Sequence, residues 1–358
     1  MSDSIRKMLQ MRNSENSVNV EYKSPPIFST IIGGRSSTID ASSSNIVIGG
    51  NNSYKGDFNP YHNSLIHGSI PNALYAPKQE SKISHTKINQ DKLQTIIIIP
   101  DIHSYQRDVK SYELCMESLK VLGDAYNVTK VVQLGDLLEC GEASGHKPTN
   151  VYDKVPSYES EVDWAMNDFW TRVKGALPTT ELIHLLGNHE HRMGKWLLDK
   201  LGRPGRMTQV LYESLIPSDL YAEMGVKTIP YGNENPLDGM YKLTDDLFCV
   251  HGWSFATNAA KAHLDRTMGS TSIIFGHIHR IQSYVRRNPV SGKGVGAWSF
   301  GALAKPNMFY QNGQPNDHCT GFGIVQTDGN YFNAITIPVL KDGANDIVVL
   351  PNGAILSA

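Results

Sequence analysis

Five short segments carry side chains that could do chemistry together. They are Asp101-Ile102-His103, Gly135-Asp136-Leu137-Leu138-Glu139, Gly187-Asn188-His189-Glu190, His251-Gly252 and Gly276-His277-Ile278-His279. Carboxylate, imidazole and carboxamide are N/O donors suited to Mn²⁺, Fe, Zn²⁺ or Co²⁺ rather than to an all-oxygen Ca²⁺ site. Asp101 and His103 stand two apart, as do His277 and His279, so at an extended strand end both side chains of a pair point to one side. Asp136 follows a glycine that permits a tight turn, and its carboxylate can bridge two cations by giving one oxygen to each. Two cations about 3.5–4 Å apart clamp the attacking and leaving oxygens of an in-line phosphoryl displacement. They also acidify a bridging water, which supplies a nucleophile at neutral pH. Each segment alone is a weak signal, because a single His at a strand end is more often structural than a ligand. All five occur in order, each after an apolar run, and that coincidence points to one shared metal site.

These segments need strands to present them, and the flanking sequence supplies strands. Apolar, β-branched runs predict strands over 95–99, 131–134, 182–186, 247–250 and 272–275, each ending at one of the five segments. In open α/β sheets, ligands bind beyond the carboxyl ends of strands, where loops converge. Helical spacing of Leu114, Leu119 and Leu122 predicts a helix over 108–125, and Val162, Met166 and Phe169 predict another over 158–174. Residues 195–221 read as helix, Gly-Pro interruption, helix. Later strands are expected over 296–300, 323–326 and 333–338, the last two joined by the turn Thr327-Asp328-Gly329-Asn330. Strand–helix alternation followed by consecutive strands argues for an α/β layered domain. Trp164, Phe169 and Trp170 fall within one predicted helix and read as packing.

The 358 residues carry 33 basic and 35 acidic side chains, a formal net charge of −2, which excludes nucleic-acid binding by bulk basicity. Nucleic acid stays open as a partner, but net charge does not indicate it. Four cysteines without a CxxC pair exclude a disulfide scaffold and a zinc ribbon, and a reducing, cytoplasmic setting is the plain expectation. No apolar run approaches a membrane span, and the first residues lack the apolar core of a secretory signal. No membrane association is expected. Residues 1–92 are dense in Ser and Asn, and such composition buries too little apolar surface to offset chain entropy. They are expected to form a polar extension, disordered or loosely docked, with a weak repeat at Ile31-Ile32 and Ile46 to Ile48 and a short helix over 1–11. Of thirteen histidines, five fall in the segments above. His184 reads as a core residue, His146, His263 and His318 as surface, and His62, His67 and His85 belong to the extension. Cys140 reads as a buried, inert thiol.

The ordered set resembles the calcineurin-like metallophosphoesterase superfamily, whose pattern runs D-x-H, G-D-x-x-D/E, G-N-H-D/E, H, G-H-x-H. The resemblance covers about residues 95–338. It implies an α/β fold in four layers, a β-sandwich flanked by helices, occupying residues 93–358. It implies two divalent metal ions, Mn²⁺ first, with Fe, Zn²⁺ or Co²⁺ as alternatives. Asp101, His103, Asp136 and His279 would hold the first; Asp136, Asn188, His251 and His277 would hold the second. His189 would be the general acid or a stabiliser of transition-state charge, and Glu139 would orient it.

One departure bears on the substrate. The protein-phosphatase branch continues its second motif with Arg-Gly, whereas Cys140-Gly141 follows Glu139 here. Substrate phosphate would then be met by Arg192, His191, Lys195 or Arg280. The activity implied is hydrolysis of a phosphoester by in-line attack of a metal-bridging hydroxide, with a phosphodiester favoured, in nucleic acid or a nucleotide. The competing readings are a phosphomonoesterase or protein phosphatase, and a non-catalytic scaffold of the same fold. A scaffold tolerates ligand losses, yet every expected position holds a competent donor.

Overall fold

The isoleucine run at 96–99 faces two cores at once. Side chains alternate across a strand, so Ile96 and Ile98 enter a cluster with Val132, Leu134, Ile183, Leu185, Leu247 and Ile274. Ile97 and Ile99 enter another, with Leu119, Leu122, Val131 and Phe169. All four isoleucines are buried, and each contributes roughly 1.5–3 kcal/mol relative to an exposed side chain. A strand buried on both faces must lie inside a layered structure, and it does. This computed structural model describes residues 92–145, 155–232, 236–308 and 315–358, with the backbone of five earlier strands.

The strand is β1 (Gln94–Ile99). It pairs in parallel with β2 (Val128–Gln133), followed by β3 (Glu181–Leu185) and β4 (Val226–Ile229). On its other side lies antiparallel β10 (Gly321–Thr327), then β11 (Phe332–Pro338), giving a six-stranded sheet of order β11-β10-β1-β2-β3-β4. A five-stranded sheet is built from β5 (Tyr241–Thr244), β6 (Leu247–Val250), β7 (Ser272–Phe275), β8 (Ile281–Arg287) and β9 (Gly294–Phe300), in the order β5-β6-β7-β9-β8. The two sheets share the Ile96/Ile98 cluster, to which Tyr241, Cys249 and Phe300 contribute from the second sheet. Helix α1 (Val109–Ala125), α2 (Tyr158–Trp164) and α3 (Thr171–Ala176) cover the outer face of the first sheet. Helix α7 (Ala259–Arg266) covers the second through Ala259, Ala260 and Leu264. The fold is α/β in four layers: helix, sheet, sheet, helix.

Between β3 and β4 run α4 (Asn188–Leu201), α5 (Arg206–Leu215) and α6 (Ser218–Glu223). A small antiparallel sheet of β12 (Leu340–Asp342), β13 (Asn345–Val349) and β14 (Ile355–Ser357) completes the chain. No helix of the described residues is long and apolar enough to cross a membrane.

Several expectations shift in detail. The helix expected over 158–174 is interrupted by a π-helical stretch, Ala165–Trp170, between α2 and α3. Strand β8 was not foreseen because it has no buried residue, only an alternation of half-exposed and exposed side chains at the sheet edge. His263 is not a surface residue: its ring packs between Trp253 and Phe275, and it accepts a hydrogen bond from Trp253 N at 3.1 Å. Trp170 packs edge-on against Phe169, His184 and Tyr221, as packing residues should.

The chain divides into two units, Met1–Thr86 and Lys87–Ala358. In the first, Phe28–Ile32 pairs in parallel with Ser44–Ile48, which pairs with Ser64–Ile66; Ser37–Asp40 pairs in parallel with Asn52–Lys55. Ile31-Ile32 and Ile46 to Ile48 thus belong to neighbouring strands. The helix expected over 1–11 and His62, His67, His85 and His146 lie outside the described residues.

Candidate metal centre

Five strands, three of the first sheet and two of the second, end at one place. Asp101 and His103 follow β1, Asp136 follows β2, Asn188 and His189 follow β3, His251 follows β6, and His277 and His279 follow β7. All but Asn188 are buried. Their ligand atoms form three tight groups: Asp101, His103 and His279; Asp136, His251 and His277; and His103, Asp136 and His189, each within 4.8 Å.

The route to this convergence is a set of left-handed turns rather than extended strand ends. His103 has φ 57°, Asp136 50°, His277 72° and His279 54°. That region is uncommon for non-glycine residues and is found where the surroundings over-determine it, often at functional sites. Around these turns, backbone donors face the carboxylates. His277 N donates to Asp101 Oδ1 at 2.9 Å and Oδ2 at 3.0 Å. His189 N donates to Asp136 Oδ1 at 2.9 Å. Asp136 Oδ2 faces both clusters, 3.7 Å from His103 Nε2 and 3.4 Å from His251 Nε2.

The imidazoles are oriented by their far nitrogens. His103 Nδ1 donates to Glu139 Oε2 at 2.7 Å, which leaves Nε2 a lone pair; that atom lies 3.0 Å from His279 Nε2. His251 Nδ1 donates to the Leu134 carbonyl at 2.9 Å, leaving its Nε2 lone pair 3.2 Å from His277 Nδ1 and 2.9 Å from Asn188 Oδ1. Asn188 Oδ1 is also 2.7 Å from His277 Nδ1. With the tautomers of His103 and His251 so fixed, imidazole nitrogens, carboxylate oxygens and an amide oxygen converge, a donor set that fits a cation. The first group offers Asp101, His103, Asp136 and His279, the second Asp136, Asn188, His251 and His277. Histidine ligands held by a carboxylate or carbonyl on the other nitrogen have a fixed tautomer and orientation.

His189 and Glu139 form a third feature. His189 Nδ1 lies 3.2 Å from Glu139 Oε2 and 3.1 Å from the Glu139 carbonyl, with Nε2 3.9 Å from Asp136 Oδ2. Burial lowers the His189 pKa, but the Asp136 and Glu139 charges more than offset it, and the net shift is upward. Burial likewise opposes the Glu139 charge, yet His189 and His103 hold that carboxylate well below its usual range. Arg192 joins them, its Nη1 3.2 Å from the Glu139 carbonyl and 3.5 Å from Oε1. Arg280 is engaged differently: it donates to Asp317 at 3.2 Å and to the carbonyls of Phe255 and Ala256 at 3.4 and 2.8 Å. Lys195 is exposed on α4, and His191 stacks on Tyr231 with centroids 4.9 Å apart.

Two buried acids stand behind these turns. Glu190 accepts from Gly187 N at 2.9 Å, Leu138 N at 2.9 Å and Asp136 N at 3.1 Å, so one carboxylate ties the Gly-Asp turn to the start of α4. Glu161, on α2, accepts from Ser104 Oγ, Glu139 N, Cys140 N and Gly141 N. Sequence reasoning quoted Glu190 without a role and missed Glu161, which carries no motif. His318, read as surface, brings its ring centroid to 4.9 Å from that of His279. Exposed Phe255 lies 3.9 Å from His277 by the same measure. Burial pushes the Cys140 thiol far up, so it is inert as expected. His184 is a core residue, its Nδ1 2.7 Å from Gln133 Oε1.

Fold and site together define an α/β protein with clusters of Asp and His side chains that could hold metal ions. The chain belongs to the calcineurin-like phosphoesterase family, whose sequence pattern matches residues 94–281. Among solved structures it is similar to Vps29 of Chaetomium thermophilum, at 12% identity and TM-score 0.35 over 74% of this chain and 93% of that one. It is also similar to the NAD nucleotidase NadN of Haemophilus influenzae, at 12% identity and TM-score 0.34, covering 74% of this chain but only 53% of that one. No curated protein sequence matches it.

Proposed function

We propose that the protein is a two-metal-dependent phosphoesterase that prefers phosphodiesters, with Mn²⁺ as its cation and a nucleotide or nucleic acid as its substrate class. The observation that carries this reading is the meeting of imidazole nitrogens, His103 with His279 at 3.0 Å and His251 with His277 at 3.2 Å, on either side of Asp136 Oδ2. Bound divalent cations would supply Lewis acidity at the phosphoryl oxygens and a water nucleophile at neutral pH.

The chain's own groups do the rest. His103 and His251 are locked as Nε2 donors of electron pairs by Glu139 and Leu134. Glu139 Oε2 accepts a hydrogen bond from His189 Nδ1–H, so the proton available to a departing alkoxide sits on His189 Nε2. The adjacent carboxylates favour imidazolium, the form a general acid needs. Arg192, half-buried beside Glu139, meets a phosphoryl oxygen. Arg280 holds the Phe255–Ala256 loop against the Asp317 segment instead. A phosphomonoester dianion carries more charge than a diester, and the Arg-Gly arginine that would meet it is replaced by Cys140-Gly141; this favours the diester.

The test is a rate screen of the Mn²⁺-loaded chain on a bis-aryl phosphodiester, an aryl monoester, cyclic nucleotides, and single- and double-stranded DNA. The diester should turn over fastest. His189→Ala should slow it by about 10²–10⁴-fold, and Asp136→Asn should abolish both turnover and Mn²⁺ binding. A wild-type chain with Mn²⁺ confirmed in place, yet inactive on every substrate, would overturn the enzymatic reading. Unaltered rates in the variants would overturn the residue roles.

A further inference from the structure

Glu161 lies outside all five chemical segments, twenty-two residues after Glu139 and on a helix that otherwise packs against the first sheet. Its side chain is buried at 2% exposure. Four donors converge on it. Oε2 accepts from Ser104 Oγ at 2.6 Å, Glu139 N at 2.7 Å and Cys140 N at 3.1 Å, and Oε1 accepts from Gly141 N at 3.2 Å.

These donors belong to two strained turns. Ser104 has φ 36° and follows His103 at 57°, and Cys140 has φ 47°. Left-handed non-glycine residues persist only where neighbours over-determine them, and here a single carboxylate bonds both turns. Between them sits Glu139, whose side chain holds His103 Nδ1 at 2.7 Å and His189 Nδ1 at 3.2 Å. A charged acceptor is suited to the task, because backbone N–H bonds to a carboxylate are stronger than neutral ones. A hydroxyl or amide could not collect four donors on two oxygens.

We propose that Glu161 is a positioning residue of the metal centre: it fixes the turn that aims Glu139, and through Glu139 it orients both His103 and His189. This rests on the role given to Glu139 and His189 above. Removal of Glu161 lets the 139–141 turn relax, so the loss appears in two places, cation affinity through His103 and proton donation through His189.

The experiment uses the full-length chain and four variants: Glu161→Ala, Glu161→Gln, Glu139→Ala and the double Glu139→Ala/Glu161→Ala. Glu159→Gln, an exposed neighbour on the same helix, is the control. Two readouts are taken, Mn²⁺ affinity by calorimetric titration of the metal-free protein, and kcat on a phosphodiester with a nitrophenyl leaving group against one with an alkyl leaving group.

Loss of groups that orient metal ligands costs about 10–100-fold in metal affinity or activity. Glu161→Ala is expected to weaken Mn²⁺ binding and to slow the alkyl substrate in that range, with a smaller effect on the nitrophenyl substrate, which needs no acid. Glu161→Gln keeps the volume and is expected to fall between wild type and Glu161→Ala. The double variant should be no worse than Glu139→Ala within about twofold, because both changes remove one function. A merely structural Glu161 would instead give losses that multiply with those of Glu139→Ala and do not depend on the leaving group, and that result would overturn the proposal. If Glu139→Ala is impaired while both Glu161 variants match wild type, only the role of Glu161 falls. If Glu139→Ala itself matches wild type, the assignment of Glu139 falls, and that of Glu161 with it.

Discussion

A methyl group on Gly187 would run into the carboxylate and backbone N of Asp136. Gly135, at φ 99°, is enclosed in the same way, its Cα side facing His251 Nδ1 and the Gly187 backbone at 2.6 and 2.8 Å from where a Cβ would stand. Two motif glycines are therefore needed for approach: they let the Asp136 turn nest against the start of α4. Gly187→Ala should push Asp136 Oδ2 away from His103 and His251, so the variant should lose Mn²⁺ affinity by at least tenfold while retaining secondary structure. Calorimetric titration and far-ultraviolet circular dichroism check this, and unchanged affinity would refute the nesting argument. At this scale the site was largely legible. Asp101, His103, Asp136, His189, His251, His277 and His279 all converge, as their types and order indicate. What failed was the reason. Spacing of two in an extended strand was expected to align the pairs, whereas left-handed turns do so, and a dihedral sign is not written in a residue type when the residue is not glycine.

At the scale of elements, local signals and tertiary context divide cleanly. Helix α1 begins where Asp108 caps it, the carboxylate accepting from Ser111 N at 3.0 Å, and Ser157 caps α2 by accepting from Ser160 N at 3.3 Å. Asp108→Ala should lower stability to denaturant by about 0.5–2 kcal/mol without altering Mn²⁺ affinity, a comparison that chemical denaturation and metal titration make together. The long apolar runs of β1, β2, β3, β6 and β7 were readable because burial on both faces leaves a continuous hydrophobic signature. Strands β5 and β8 were not, since each lies at an edge of the second sheet and carries polar residues on its open side. The π-helical stretch at Ala165–Trp170 is likewise invisible in the helical periodicity. It falls where Phe169 and Trp170 are both fully buried.

For the whole molecule, buried histidines make stability depend on pH. Burial, with a smaller push from His251, lowers the His184 pKa to about 3, and burial lowers His263 to about 4. In the unfolded chain both titrate near 6.5. Between those limits the unfolded state binds protons that the folded state does not, so the share of stability owed to these two histidines rises with pH up to about 6.5 and is lost as pH falls below it. Each histidine contributes up to about 1.4 kcal/mol per pH unit in that window. Urea midpoints of the metal-free protein from pH 7 to 4.5 should show this slope, and His184→Gln should flatten it by about one proton's share. Identical slopes in the variant would contradict the assignment. His184 lies in β3 against the rings of Trp170 and Tyr221, where burial disfavours a charge.

The sequence by itself determined the layer pattern and the donor set, because both are carried by residue types in order: apolar runs that must be buried, each followed by groups that bind cations. Only the tertiary structure decided which oxygen of Asp136 faces both clusters, that Arg192 and not Arg280 stands beside Glu139, and that Glu161 grips the turns beneath them. Those facts depend on hydrogen bonds between residues distant along the chain. The packing of sheets and helices sets such distances, and no local pattern of side chains records them.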